Sequence, residues 1–197
     1  MKSIDIKGTA RKDTGKKGTR EVRNAGSVPC NLYGSKKDEK GNVIATPFSV
    51  TNEGLRNLIY TPHIYTVNLD IDGQVCKAIM KEIQFHPVKD NVLHVDFYQI
   101  EENQPIVMEV PVQLEGLAEG VRAGGKLQLQ VRKLKVKATY DKIPERLVVN
   151  VSNIGLGKTI KVGELAFEGL EILNAKETVV CAVKLTRAAM GAAAKNN

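Results

Sequence analysis

Three side chains stand out for the chemistry they could share. His86, His94 and Asp96 are two imidazoles and a carboxylate, the ligand set of a facial iron site. On a strand, the spacing of two puts His94 and Asp96 on one face, and a turn over 87–91 brings His86 onto the neighbouring strand. The same residues support two other readings: one histidine hydrogen-bonding the aspartate at a strand end, or mixed donors and acceptors that meet RNA base edges and 2′-hydroxyls. A metal enzyme also needs a substrate pocket and partners that orient the ligands, and no such set is recognisable. Gly155, Gly157, Lys158 and Thr159 end like a phosphate-binding loop, but Ser152 stands where its first glycine belongs. Residues 160–163 read as a strand where a helix must begin, so the segment is read as a turn. No serine or cysteine carries an activation signature.

The remaining chemistry is cationic. The chain has 197 residues, 29 Lys+Arg against 22 Asp+Glu and a formal charge of +7, which suits a polyanionic partner without naming one. The charge is local: residues 1–40 hold 11 basic and 5 acidic side chains, residues 41–97 hold 4 and 6, and residues 98–197 hold 14 and 11. In the first segment Lys7, Arg11, Lys12, Lys16, Lys17, Arg20 and Arg23 face only Asp13 and Glu21. Such a run can be a solvated face or a disordered arm. Here it lies between two strand patterns, 3–10 and 28–33, which makes it a candidate binding surface. Lys133, Lys135 and Lys137 alternate with Leu134 and Val136, the pattern of an edge or solvent-facing strand guarded by lysine.

The elements that position these groups are mostly strands. Helical patterns over 15–25 and from Thr51 and Asn52 to Pro62 interrupt strands at 3–10, 28–33, 43–50, 63–70, 74–85 and 92–100, with Asp72-Gly73 as a hairpin turn. The fold class is therefore mostly β with a few short helices (α+β): a six-stranded, barrel-like domain over 1–98, then a second all-β domain over 99–187 and a frayed tail over 188–197. Residues 35–42 read as a polar loop and 101–105 as the linker. The second domain's strands are expected at 106–114, 126–131, 133–140, 147–151 and 178–185. The N-terminus lacks the apolar core of a signal peptide and no stretch is apolar enough to span a bilayer, so a cytoplasmic protein without membrane contact is expected. Cys30, Cys76 and Cys181 are odd in number and widely spaced, as reduced packing residues would be.

Together the motifs are specific. Residues 15–29 running into Tyr33-Gly34, then Gln84-Phe85-His86-Pro87-Val88 and Leu93-His94-Val95-Asp96-Phe97-Tyr98, closely resemble the bacterial large-subunit ribosomal protein that binds 5S ribosomal RNA. Pro111-Val112, Gly120-Val121, Gly124-Gly125 and Ile143-Pro144 resemble the two-domain form, the general stress protein CTC family, so nearly the whole chain is covered. The resemblance implies a β-barrel bearing the RNA surface and an all-β appendage. It implies RNA contacts from Arg11, Lys16, Thr19, Arg20, Arg23 and Tyr33, and from Gln84, His86, His94 and Asp96 on a second surface. Phe85 stands where some members have arginine, which removes one phosphate contact, and Asn150 where aspartate is frequent. The expected function is that of a non-catalytic constituent of the large ribosomal subunit that binds 5S rRNA, a monomer when free, with no metal or cofactor. Two rivals are a metal-dependent enzyme using His86, His94 and Asp96 and a stress-related RNA chaperone acting off the ribosome.

Overall fold

The computed structural model describes residues 2–34, 43–101 and 104–186. The expected polar loop at 35–42 and the tail over 188–197 lie outside the described residues. The chain divides into two compact units, Met1–Gln104 and Pro105–Asn197.

In the first unit β1 (Lys2–Ala10) leads to the helix α1 (Lys16–Asn24) and then β2 (Ser27–Tyr33) and β3 (Thr46–Thr51). The helix α2 (Asn52–Ile59) precedes β4 (Tyr65–Ile71), β5 (Gln74–Phe85) and β6 (Val92–Gln99). The six strands close into a barrel in the order β1-β3-β2-β6-β5-β4. Two pairings are parallel, β1 with β4 and β2 with β6, and the rest antiparallel. Every strand sends alternate residues inward, and Val28, Cys30, Phe48, Val67, Leu69, Val95 and Phe97 are fully enclosed. Phe48 and Phe97 meet with ring centroids 5.6 Å apart. Burial pushes the Cys30 thiol up to about 12, aided by the Asp96 carboxylate. The β4–β5 turn is the expected Asp72-Gly73 pair, both with positive φ. Thr51 caps α2 by accepting from the Gly54 N–H at 3.3 Å, and Leu55 and Leu58 seal the core beneath it.

Pro105, read from the sequence as part of the linker, begins a strand of the second unit. That unit holds β7 (Pro105–Glu115), the short helix α3 (Glu119–Arg122), β8 (Lys126–Leu129), β9 (Lys133–Thr139), β10 (Leu147–Asn150), β11 (Thr159–Lys161), β12 (Glu171–Ile172) and β13 (Val179–Lys184). They form a four-stranded sheet, β10-β7-β9-β12, and a three-stranded one, β11-β13-β8. The alternation on β9 has the expected outcome on one point and corrects another. Lys133, Lys135 and Lys137 face solvent over buried Leu134 and Val136, but β9 is interior to its sheet, between β7 and β12. The turn before β11 is followed by a strand, with no helix to hold a phosphate.

Candidate nucleic-acid interface

The outer side of β2, β6 and β5 collects the polar groups. In register, Asn31 lies opposite Asp96 and Tyr33 opposite Tyr98 on one side of β6. On the other, Glu82 lies opposite Asp96 and Gln84 opposite His94. Residues opposite one another share a face, so Asn31, Tyr33, Glu82, Gln84, His94, Asp96 and Tyr98 form one continuous patch. Its two rings, Tyr33 and Tyr98, meet edge-on at 5.8 Å. His94 Nδ1 lies 3.4 Å from Asp96 Oδ1, with about a fifth of each side chain exposed (21% and 23%). Burial, then the Asp96 carboxylate, raises the Tyr33 phenol's pKa. The phenol therefore stays a hydrogen-bond donor at neutral pH.

Of these seven, sequence reasoning missed Asn31, Glu82 and Tyr98 as site residues. Asn31, Glu82 and Tyr98 carry a signal, since each is two residues from a predicted contact on its own strand. The β5–β6 register shifts between Met80 and Glu82, so Lys81 is an extra residue and the alternation changes phase there. A second shift between Gln84 and Phe85 re-aims the strand end. Beyond it His86 does not join His94 and Asp96. Its Nδ1 accepts from the N–H groups of Val88 and Lys89, each at 3.2 Å, and so organises the turn. Among the described residues no three His, Cys, Asp or Glu side chains are grouped to hold a metal ion.

The helix α1 stands beside this patch. It buries no residue, and a nine-residue polar helix is marginal in water, so other contacts must hold it. Arg11 supplies one: its Nη2 donates to the Asp13 carbonyl at 2.9 Å and to Thr19 Oγ1 at 3.3 Å. Thr19 Oγ1 in turn donates to the Gly15 carbonyl at 2.9 Å. Arg23 supplies the second, with Nε and Nη2 both donating to the Leu93 carbonyl at 3.1 and 2.9 Å. Gly26, at φ +75°, ends the helix where a side chain would be strained. Arg11, Thr19 and Arg23 are therefore engaged within the fold. Lys16, Lys17 and Arg20 are exposed and, among the described residues, make no side-chain ion pair or hydrogen bond.

The comparisons fit this architecture. Residues 6–97 match the Ribosomal L25p family, and residues 105–187 match the C-terminal domain of ribosomal protein TL5. The chain is 73% identical over 194 residues to the large ribosomal subunit protein bL25 of Phocaeicola vulgatus, covering 98% of each. The chain belongs to the bL25 family. The bL25 of Bacteroides thetaiotaomicron is 68% identical, with 98% of each chain covered, and that of Porphyromonas gingivalis 54% identical, with 99% of each covered. The bL25 proteins are constituents of the large ribosomal subunit and not enzymes, which sets aside the metal-dependent enzyme expected as a rival. The two-unit β architecture agrees with the two matched families. No helix among the described residues is long and apolar enough to cross a membrane.

Proposed function

We propose that this chain binds 5S rRNA within the large ribosomal subunit, in the cytoplasm, and does so through residues 1–98, with 99–187 as an appended β domain. The observation that carries the reading is the division of labour around β6. Uncommitted cations Lys16, Lys17 and Arg20 project from α1, and Arg23 fastens that helix to the Leu93 carbonyl on β6. The adjoining patch of Asn31, Tyr33, Glu82, Gln84, His94, Asp96 and Tyr98 contains two carboxylates and no cation. Carboxylates repel phosphates but accept from base N–H groups and 2′-hydroxyls. The helix thus supplies backbone contacts that position the protein, and the patch supplies edge contacts that discriminate an irregular RNA groove. Arg11, Thr19 and Arg23 serve this reading as braces of α1.

The test is titration of the full-length protein with isolated 5S rRNA at several salt concentrations. Arg20→Ala should weaken binding and flatten the dependence of log affinity on log salt by about 1. His94→Ala should weaken binding with the slope unchanged. Binding indifferent to both substitutions, or no binding of the wild type, would overturn the proposal.

A further inference from the structure

We infer that the second unit carries a separate RNA-backbone site at one end of its three-stranded sheet, formed by Arg122, Lys126, Lys158 and Lys184. The topology brings these residues together. Both neighbours of β13 run antiparallel to it, so β8 and β11 begin where β13 ends. Lys126 is the first residue of β8, Lys158 immediately precedes β11, and Lys184 is the last residue of β13. Lys126 and Lys184 are directly opposite in the register. The Val183 N–H donates to the Lys158 carbonyl at 2.9 Å, holding that turn against the same end. Thr186 Oγ1 donates to the Gly124 carbonyl at 2.6 Å, which ties the end of α3, and Arg122 with it, to the chain leaving β13.

The three lysines there have no acidic residue on the strands that carry or adjoin them, although Glu119 shares α3 with Arg122. Residues 120–131, 151–163 and 178–186 contain no Asp or Glu. Among the described residues the four side chains make no ion pair or hydrogen bond, and Lys126, Lys158 and Lys184 are exposed. Like charges directly across a strand pair are destabilising, so this pairing opposes folding. Edge protection does not explain it, because Lys184 lies on the central strand of its sheet. Elsewhere in the unit lysines face acids: Lys161 meets Glu177 at 2.6 Å, Lys137 meets Glu171 at 3.7 Å, and Lys135 is in register with Glu109. Exposed Gln128 on β8 and Thr159 on β11 add neutral hydrogen-bonding groups beside the cations. A set of point charges with amide and hydroxyl neighbours suits a phosphodiester backbone read without base specificity. Ribosomal RNA is the polyanion that a bL25 protein meets in its subunit, and this inference does not depend on the 5S reading.

The experiment is rebinding of the full chain to large subunits stripped of it by a salt wash. Lys126→Gln/Lys158→Gln/Lys184→Gln should lower the slope of log affinity against log salt by about 2 to 3, while affinity for isolated 5S rRNA stays within about twofold. The matching triple substitution to arginine keeps the charge and should rebind like wild type. A photoreactive benzophenone amino acid at Gln128 should crosslink to RNA in the assembled subunit. An unchanged salt slope, or crosslinks to protein alone, would overturn the inference. Failure of the 5S reading would instead show as absent binding of the wild type to the isolated RNA.

Discussion

The cations of α1 and the lysines of β9 are both short runs that face water, yet they stand in opposite surroundings. Lys133, Lys135 and Lys137 project from an interior strand over a buried floor, with Glu109 and Glu171 on the neighbouring strands. Lys16, Lys17 and Arg20 project from a helix with no buried residue, held in place by Arg11 and Arg23. On β9 the charge is complemented by the sheet that displays it. On α1 two arginines are used to fix a helix whose remaining cations have no partner among the described residues. A basic run that the fold neutralises solubilises a face, whereas one that the fold holds rigid and leaves unneutralised is arranged for a partner.

The largest effect that would break this comparison comes from neutralising both runs. Lys16→Ala/Lys17→Ala/Arg20→Ala should lower affinity for 5S rRNA by about 100- to 1,000-fold, taking about 0.9 to 1.4 kcal/mol per charged contact. The triple alanine variant of Lys133, Lys135 and Lys137 should change it by no more than about threefold. Equal losses in a filter-binding titration would erase the distinction. A second test separates the units. A Cβ on Gly120 would lie 2.7 Å from the backbone of Gly155 and Leu156, so Gly120→Ala should destabilise the second unit by about 2 kcal/mol. Hydrogen exchange should quicken across β7–β13 while 5S rRNA affinity holds.

A smaller effect sharpens the role of the braces. Arg23→Ala removes two hydrogen bonds to the Leu93 carbonyl and should cost about 1 to 2 kcal/mol. The expected readout is faster amide exchange over α1 in the free protein, with the salt slope of RNA binding preserved; a reduced slope would make Arg23 a phosphate contact instead. The smallest effect concerns alkaline pH. Cys30 holds its proton in the fold up to about 12 against an ordinary 9.0. The unfolded chain releases that proton first, so the thiol's contribution falls as pH rises from 9 to 12 and is intact below 9. Cys30→Ala should flatten the loss of stability over that window in urea melts, and an unchanged pH profile would refute the burial account.

Much of the barrel was legible because its strands are short, alternating and bounded by polar turns, and because Thr51 and Asp72-Gly73 carry strong local signals. The face shared by His94 and Asp96 followed from a period of two, whereas Tyr33, expected on a separate surface, joins it only through the parallel β2–β6 register. The change of phase at Lys81 did not follow, since nothing in its side chain announces a bulge. Nor did the commitment of Arg23, whose acceptor is a carbonyl 70 residues away. The hydrogen bonds that Arg11 and Thr19 make within the α1 segment likewise emerge only from distances. In the second unit α3 and β12 have four and two residues, too short for any periodicity to appear.

The parallel pairings of the barrel set an order in time. β2 leans on β6 and β1 on β4; both can pair earlier with β3, but the barrel of a nascent chain cannot close until residues up to 99 have followed. Such long-range pairing delays folding until its loops close. Tyr33 cannot meet Tyr98, nor Arg23 the Leu93 carbonyl, on a partial chain. The patch proposed to discriminate RNA is therefore absent from a growing chain and is assembled only once the first unit has been made in full.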